Sequence, residues 1–542
     1  MRPILALFLF LLMSCSKSEQ GPIASNPSFQ VLDVQHADQS LGGISKGIPL
    51  NASFRLTFEQ ALDVSQLEKY IYVEESDKTS LPVQLQVSAD KKTVQVQPKT
   101  SYKGLTSYQL HISNSLKSID GAALKQASSY TFHTAVDDRD KFPRISEEEL
   151  LQKVQKQTFA FFWDYAHPHS GMIRERHSSG ETVTIGGTGF GVMAILVAVE
   201  RQFITRTQGL ERLNKIVHFL QNADTYHGAF SHWYHGATGK TIPFSPKDDG
   251  ADLVETALLF QGLLAAREYF QDATLTQDIN TLYQAVEWNF FQQGQDVLYW
   301  HWSPTQAWAM NLKISGWNES LLVYVLAAGS TNYSISKNVY DAGWARNGAM
   351  KNGKSFYNYD LPLGADLGGP LFVSQYSFLG INPTGLKDAY ADYELQTKNH
   401  TLINRAYSIE NPKQYYGYSS SCWGLTAGDI PTGYGAQSPS NDIGVIAPTA
   451  ALSSMAFTPN ESKEALSYFY YKLGDKIWGE YGFKDGFSLD QLWFADSYIA
   501  IDQGPIIIGI ENYRSQLIWK QVMKAAEIKN GLKKLGFTSP NL

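Results

Sequence analysis

Between residues 29 and 136 the chain alternates apolar and polar positions with a period close to two. The segments SFRLTF, KTVQVQP, SYQLHIS and SSYTFHT follow this alternation, and turn-forming stretches such as SADKK and SIDGA separate them. Alternation of this kind places the apolar side chains of a strand on one face. We therefore predict that residues 29–136 form an antiparallel β-sandwich.

A short charged segment separates this region from the rest of the chain. Residues 137–145, DDRDKFPRI, contain Pro143 and predict a linker. Ser146 and Glu149 follow it in the SEEEL stretch, a capping-box pattern that marks the start of a helix. We place the boundary of the second domain at residue 146.

Beyond residue 146 the hydrophobic period becomes helical. About ten segments have this period, among them Asp249–Phe270, Glu319–Ala328 and Pro505–Ala525. Long loops rich in Gly, Trp, Tyr, Asp and His lie between them. Helices that alternate with such loops favour a mostly α fold with paired helices in a ring. We predict an (α/α)6 toroid for residues 146–542, with an irregular helical array as the alternative.

The first residues have the pattern of an export signal. Arg2 precedes an apolar run that is too short to span a membrane as a helix, and the run ends at LMSC, residues 12–15. This ending resembles a bacterial lipobox, which implies cleavage before Cys15 and lipidation of its thiol. Residues 1–15 are then a lipoprotein signal and residues 16–28 a polar tether. An ordinary signal peptide with an incidental cysteine is the alternative.

Composition and charge argue against nucleic acid as a partner and favour a carbohydrate. The net charge is -7 and no basic stripe is present, so nucleic acid is not an expected partner. Aromatic residues make up 13% of the chain, with 12 Trp and 30 Tyr. Flat apolar rings with polar edges suit a carbohydrate cleft. With Cys15 acylated, only Cys422 would remain, so no intramolecular disulfide is expected.

Four acids crowd one end of the helical segment SPKDDGADLVETALLF. Asp248, Asp252 and Glu255 are spaced i, i+4 and i+7, which would place all three on one helix face. Two interpretations stay open. The acids cap the helix and are solvated, as the helix dipole favours, or they form an acidic functional face.

Two further acids lie in apolar surroundings. Glu319 stands beside Trp317 and Asn318 where a helix is predicted to begin, so it is either a first-turn acid or a general acid with a raised pKa. Asp502 follows the apolar YIAI, so it is either a helix N-cap or a functional base.

Other motifs offer weaker candidates. The spacing of His227, His232 and His235 matches no standard metal-ligand pattern, so we predict no metal and expect these side chains to bind sugar hydroxyls or backbone. The glycines of IGGTGFG, residues 185–191, lack the preceding strand of a nucleotide-binding turn and are predicted to form a tight loop at a helix entry. No cofactor is expected. Carboxylates and aromatics together are the ingredients of glycoside hydrolysis.

A series of segments resembles the bacterial glycoamylase-like domain, which is similar to the endo-β-1,2-glucanases of glycoside hydrolase family 144. The segments occur in order from about residue 186 to residue 514, and the β-sandwich before them resembles bacterial Ig-like domains. They are GGTGFGVMAILVAVER, HGAFSHW, DDGADLVETALLFQGLLAAREYF, YWHWSP, GWNESLLVYVLAAGS, YSFLGINP, WGLTAGDIPTGYGAQSP, DIGVIAPTAALSSM and IDQGPIIIGIENYR.

The resemblance implies an (α/α)6 toroid, an acidic cavity and hydrolysis of β-1,2-glucan with inversion, in endo mode or in exo mode with release of sophorose. It places cavity carboxylates at Asp248, Asp252, Glu255, Glu319 and Asp502. We assign Glu319 as general acid and Asp502 as base, with the reversed assignment, or Asp252 as base, left open. The substrate-binding residues expected are Trp317, Asn318, Trp423, Asp429 and His232. A surface glycan-binding lipoprotein without activity is the alternative function.

The lipobox pattern predicts an exported protein that is held at a membrane, on its periplasmic or outer side, through lipid on Cys15. Cys15→Ser should move the protein from the membrane fraction to the soluble fraction of fractionated cells, because the acyl anchor is lost. Cys422→Ser is the matched control and should leave the distribution unchanged. A Cys15→Ser protein that stays with the membranes would contradict the prediction.

Overall fold

The computed structural model describes residues 27–542, and the chain divides into two compact units between Ala135 and Val136. The predicted signal, the lipidation site Cys15 and residues 16–26 of the predicted tether lie outside the described residues. Among the described residues, no helix combines the length and the apolar character needed to cross a membrane.

The first unit contains two five-stranded sheets that pack face to face, and β1 and β11 form a separate two-stranded sheet. One sheet has the strand order β4-β12-β10-β6-β7 and the other the order β3-β2-β5-β9-β8. Phe54 and Phe132 meet between the sheets with ring centroids 4.8 Å apart, and the alternating apolar positions fill one core. The strands are β1 (Ser28–Phe29), β2 (Val31–His36), β3 (Gln39–Ser40), β4 (Ile44–Ile48), β5 (Phe54–Phe58), β6 (Ile71–Glu75), β7 (Ser80–Leu81), β8 (Val83–Val87), β9 (Thr93–Pro98), β10 (Ser107–Ile112), β11 (Ala123–Leu124) and β12 (Ser128–Thr134).

The second unit is mainly helical, with short two- and three-stranded sheets in its loops. Its first helix begins at the predicted capping box, where Ser146 and Glu149 bond each other's backbone. The α-helices are α1 (Glu147–Trp163), α2 (Ile185–Glu200), α3 (Arg206–Asn222), α4 (Leu253–Phe270), α5 (Ala273–Ala285), α6 (Leu321–Gly329), α7 (Lys337–Val339), α8 (Tyr393–Glu410), α9 (Pro448–Ser453), α10 (Pro459–Ile477), α11 (Ala500–Arg514), α12 (Leu517–Val522) and α13 (Ala526–Leu535).

Two kinds of helix make up this unit. Helices α2, α4, α6, α9 and α11 are buried around almost their whole circumference, and they pack against one another in the pairs α2–α4, α4–α6, α2–α11 and α9–α11. Helices α1, α3, α5, α8, α10 and α13 have one buried face and one solvent face, and the buried face of α8 is largely polar. A helix that is apolar on all sides must be surrounded by other elements, so the first group forms the interior.

The segment predicted as a linker belongs to the second unit. The backbone N–H of Lys141 donates to the carbonyl oxygen of Tyr471 on α10 (2.7 Å). The Arg144 guanidinium lies 4.0 Å from the centroid of the Tyr471 ring. Residues 141–145 are thus fixed to α10.

The glycine segment at residues 185–191 is not the predicted loop but the first two turns of α2. Its glycines allow a close crossing with α4. A Cβ atom on Gly189 would lie 2.2 Å from the carbonyl oxygen of Leu258, and a Cβ on Gly262 would lie 2.1 Å from the carbonyl oxygen of Gly189. The tertiary contact therefore outweighs the low helix propensity of glycine.

Two further predicted helix starts are wrong. Helix α4 begins at Leu253, after the N-cap Asp252, so Asp248 lies in the preceding loop and the three acids do not share a helix face. Helix α11 begins at Ala500, which places Pro505 inside it, and the predicted Pro505–Ala525 segment is divided between α11 and α12. Pro505 is the sixth residue of α11, beyond the N–H groups that a helix start leaves unused, so its ring removes one backbone hydrogen bond within the helix.

The close crossing of α2 and α4 leaves no space for an added methyl group at Gly189. Gly189→Ala should lower the free energy of unfolding by about 3 kcal/mol, because the added Cβ overlaps the α4 backbone and the helices must separate. Chemical denaturation followed by circular dichroism measures the change. Gly42→Ala, which adds a Cβ in open space, is the control. A Gly189→Ala protein more stable by about 1 kcal/mol, as expected for an unhindered helix position, would contradict the crossing.

Candidate active site

A cavity of about 540 Å³ lies at the amino-terminal ends of the buried helices. Thr184 is the N-cap of α2, Glu255 lies in the first turn of α4, Glu319 precedes α6, and Ile501 lies in the first turn of α11. All four line the cavity. Helix amino termini favour negative charge, so this end of the unit is suited to carboxylates.

Glu319 lies in the turn before α6 and is half-buried at the cavity wall. Burial, followed by the negative charges of Asp252 and Glu255, raises the pKa of Glu319 to about 7. The carboxyl group therefore retains its proton at a higher pH than an ordinary glutamate. It has the property needed to donate a proton to a ligand in the cavity.

Both carboxylate oxygens of Asp252 have polar partners. Its Oδ1 caps α4 by accepting from the N–H groups of Val254 (3.0 Å) and Glu255 (2.9 Å). Its Oδ2 faces His232 Nδ1 (3.2 Å) and His301 Nε2 (3.5 Å). His301 reaches this position because the strand Ala251–Asp252 pairs with His301–Trp302.

The two histidines explain why like charges gather here. His301 Nε2 also lies 3.3 Å from Asp248 Oδ2, and His232 Nε2 lies 4.0 Å from Glu255 Oε1. Although burial opposes a charged imidazole, the carboxylates of Glu255, Asp252 and Asp248 raise the pKa of His232 to about 9. Burial acts against ionised Asp252 too, yet the hydrogen bonds from His232 and His301 hold its pKa below the usual range. Burial opposes a charged His301 as well, yet the hydrogen bond and the charge of Asp252 raise its pKa. The acids are therefore crowded around two imidazoles whose protonated forms they favour.

One group of described residues has ligand atoms placed for a cation. Single ligand atoms of His232, Asp248 and Asp252 lie within 4.8 Å of one another. A cation bound there would compete with the imidazole protons that already pair with Asp252. The absence of a metal stays a prediction.

Asp502 lies in the first turn of α11, 2% exposed, and is not part of the cavity wall. Its carboxyl contacts the equally buried carboxyl of Asp485, and burial, with the charge of Asp485, raises the pKa of Asp502 well above its usual range. Burial, and after it the charge of Asp502, raises the pKa of Tyr376 and Tyr434, which line the cavity. Asp502 therefore lies outside the cavity wall, near two of the tyrosines that form it.

Three predicted binding residues are placed elsewhere. Trp423 is fully buried in the core and presents no ring face to a ligand. Trp317 packs against Phe378 with ring centroids 6.1 Å apart, and it is not part of the cavity wall. Asn318 uses its Oδ1 to accept from the N–H of Ser320 (2.9 Å), which stabilises the turn before α6. These roles are structural.

The other two predicted binding residues lie at or next to the cavity. His232 lines it, as described above. Asp429 accepts from Arg176 Nη1 (3.2 Å), and Arg176 lines the cavity. Asp429 thus acts on the wall through Arg176.

The sequence analysis did not identify most of the aromatic wall. Phe244 and Tyr434 are 50% and 46% exposed, unusually open for large apolar rings. Both occur within or beside segments that carried the family resemblance. Aromatic residues in and next to those segments could therefore have been proposed as part of the wall. The wall residues that were missed are Glu175, Arg176, Thr184, Trp233, Phe244, Trp300, Phe372, Tyr376, Ala427, Tyr434, Ala436, Ile499 and Ile501.

The cluster predicts opposite charge states for two histidines. His232 should keep its proton up to a pH of about 9, whereas burial lowers the pKa of His400 to about 4. Histidine-selective NMR titration measures both in one sample. Since the folded pKa of His232 lies above that of the unfolded chain, its contribution to stability should be complete below pH about 6.5 and lost as the pH rises through about 9. An ordinary titration of His232 near pH 6.5 would contradict the cluster.

Comparison with known proteins identifies both units. A family model described as "Putative glucoamylase" matches residues 311–526, and a model described as "Bacterial Ig-like domain" matches residues 40–134. A solved structure from Bacteroides uniformis with the same glucoamylase description is 58% identical in sequence. It covers 74% of this chain and 100% of that chain, with a TM-score of 0.73.

Two similar proteins have named activities. An endo-beta-1,2-glucanase from Chitinophaga pinensis, solved with sophorotriose and glucose, is 50% identical, covers 74% of this chain and 100% of that chain, and has a TM-score of 0.72. An exo beta-1,2-glucooligosaccharide sophorohydrolase (non-reducing end) of Parabacteroides distasonis is 42% identical over 419 residues, which are 72% of this chain. The chain spans 58% of the length of that curated relative. The family expected from the sequence motifs is confirmed, and the chain belongs to the glycoamylase-like family, with a bacterial Ig-like domain before its helical region.

Proposed function

We propose that this protein is a glycoside hydrolase that cleaves β-1,2-glucan or β-1,2-glucooligosaccharides with inversion. The observation that carries the proposal is the carboxyl group of Glu319, which is half-buried at the wall of an aromatic cavity and has a pKa of about 7. The two relatives named above support the choice of β-1,2-linked substrate. One is named as an endo enzyme and the other as an exo enzyme, so the proposal covers both modes.

In the proposed reaction Glu319 donates its proton to the glycosidic oxygen while water attacks the anomeric carbon from the opposite side. The bond between the anomeric carbon and the leaving oxygen breaks, and the proton of the water passes to a carboxylate base. Inversion requires the acid and the base to lie roughly 6.5–9.5 Å apart, with space for the water. The rings of Trp233, Trp300 and Tyr434 would bind the faces of the sugars.

We propose Asp502 as the base in preference to Asp252. Asp252 already bonds two N–H groups with one oxygen and faces two imidazoles with the other, so it has little capacity to accept a proton from water. Asp502 Oδ2 accepts no hydrogen bond from a donor among residues 27–542, although its carboxyl group contacts that of Asp485. The reversed assignment fits less well, because Glu319 and not Asp502 lies at the cavity wall where a glycosidic oxygen would be.

We further propose that the helices of the second unit form an (α/α)6 toroid. The order of the helices supports a double ring, because solvent-facing and buried segments alternate along the chain as α1 and α2, α3 and α4, α5 and α6, and α10 and α11. Helix α8 packs against the buried 3₁₀ segment Leu371–Ser374, which would supply a further inner position. An experimental structure would distinguish this ring from an irregular array.

We also propose that the enzyme works outside the cytoplasm, held by lipid on Cys15, with the β-sandwich as a spacer. A lipobox-like ending after a short apolar run supports the anchor. A glucan polymer is too large to enter a cell without prior cleavage, so an exported location suits the proposed substrate.

The proposed roles predict the outcome of two isosteric substitutions. Glu319→Gln removes the transferable proton and Asp502→Asn removes the base, so each should lower turnover of β-1,2-glucan by at least about a hundredfold while the fold is kept. In the wild type the rate should fall as the pH rises through about 7, because Glu319 must be protonated to act as acid. Product analysis by chromatography and by NMR of the anomeric protons measures the rate and the inversion.

The exposed substitutions Glu211→Gln and Asp475→Asn are matched controls and should retain full turnover. Near-normal turnover in both Glu319→Gln and Asp502→Asn would show that the carboxylate assignment is wrong. A wild-type protein that binds the glucan without shortening it would favour the glycan-binding alternative.

A further inference from the structure

Asp485 and Asp502 form a buried carboxyl pair next to the cavity wall. Both side chains are 2% exposed, and their carboxyl groups lie in hydrogen-bonding contact with each other. Asp485 Oδ1 and Asp502 Oδ2 are both buried without a donor from any residue between 27 and 542. Two carboxylate oxygens repel each other, so one proton held between the groups would satisfy both atoms at once.

The second oxygen of Asp485 is fixed by the backbone. The N–H of Asp429 donates to Asp485 Oδ2, and the backbone N–H of Asp485 donates to the carbonyl oxygen of Ser497 (3.1 Å). A Cβ on Gly428 would lie 3.0 Å from the same Oδ2, so the strand that carries Asp429 packs tightly against this carboxyl. Asp485 therefore has one orientation, with Oδ1 left for the contact with Asp502.

Among the described residues, the positive side chain that acts on Asp485 is already paired with other carboxylates. Arg176 is the positive side chain near Asp485, and its guanidinium is already engaged with Glu175 (2.9 Å) and Asp429 (3.2 Å). The carboxyls of Asp429 and Glu175 and the phenols of Tyr376 and Tyr434 are the other titratable groups near the pair. A buried pair of acids in this setting is stable with one proton, not with two negative charges.

We infer that Asp485 is a positioning residue for the proposed hydrolysis, which holds a proton in common with Asp502 and so sets the protonation state of the proposed base. The inference rests on the proposed function. In the resting pair one proton serves two carboxyl groups. When water attacks, its proton passes to the pair, which then holds two protons, while Glu319 loses its proton to the leaving oxygen. Exchange with solvent returns one proton to Glu319 and removes one from the pair.

Asp485→Asn tests the inference because the Asp429 N–H should keep the new amide in the same orientation. The amide oxygen would accept from the Asp429 N–H, and the amide nitrogen would donate to Asp502 Oδ2, but an amide is a weaker donor than the carboxyl proton of the resting pair. The ionised form of Asp502 would then be less stabilised than in the resting pair, so the acid limb of the pH profile of kcat/KM on β-1,2-glucan should move to higher pH by at least about half a unit. The alkaline limb, which belongs to Glu319, should stay in place.

Asp442→Asn is the matched control. Asp442 is equally buried but accepts from the hydroxyls of Tyr407 (3.1 Å) and Tyr418 (2.7 Å), so its substitution should lower stability without moving either limb. If the role of Asp485 is purely structural, Asp485→Asn should behave like this control, with lower stability or lower kcat and an unshifted acid limb. That result would overturn the inference.

Infrared difference spectra without substrate provide a readout that does not depend on activity. At pH 6 the difference spectrum between the wild type and Asp485→Asn should show one band of a protonated buried carboxyl. The difference spectrum between the wild type and Asp442→Asn should not show this band. If the wild type does not hydrolyse β-1,2-glucan but the band is present, the proposed function fails and the shared proton stands. If the glucan is hydrolysed and the band is absent, the inference fails alone. Asp485→Ser serves the same measurement if Asp485→Asn does not fold.

Discussion

A carboxylate that is removed from water requires a positive charge, a hydrogen-bond donor or a proton, and the cavity end of the helical unit is organised by this requirement. Asp252 has two imidazoles and two backbone N–H groups. Asp429 has Arg176, and Glu255 has the N–H of Gly186 at 2.7 Å. Glu319, Asp485 and Asp502 have fewer of these partners, and burial raises the pKa of each carboxyl. The protonated form of a carboxyl is therefore favoured most where compensation of its charge is weakest.

The close crossing of α2 and α4 makes this arrangement possible. Gly189 and Gly262 bring the two helices together, and Gly186 brings the first turn of α2 against the Glu255 carboxylate. A Cβ on Gly186 would lie 2.7 Å from Glu255 Oε2, so a larger residue would displace the carboxylate from its donor. The glycines of α2 thus act on the electrostatics of the cavity as well as on the packing of the core.

The sequence predicted element types and the family better than it predicted side-chain positions. Alternation of period two located the strands, and helical periodicity located the helices, because both reflect burial that acts on many residues at once. The starts of α2, α4 and α11 were wrong because contacts between distant segments decide them. Likewise, Trp317 and Trp423 were chosen for their ring type, whereas the space around a ring, which no local pattern encodes, decides whether it faces a cavity. His301 and Asp485 were missed because strand pairing and loop packing bring them to their partners from far along the chain.

The attachment of the cavity groups to buried helices has a thermodynamic consequence for ligand binding. Glu255 and Asp502 lie in the first turns of α4 and α11, and Glu319 lies one residue before the N-cap of α6, so the surrounding core already limits their motion. A ligand that enters would spend little of its binding free energy on ordering these side chains. The same rigidity would penalise a ligand whose hydroxyl groups are displaced by an ångström, because the wall has few means of following it. Selectivity in such a cavity comes from poor accommodation of the wrong shape more than from strong attraction to the right one.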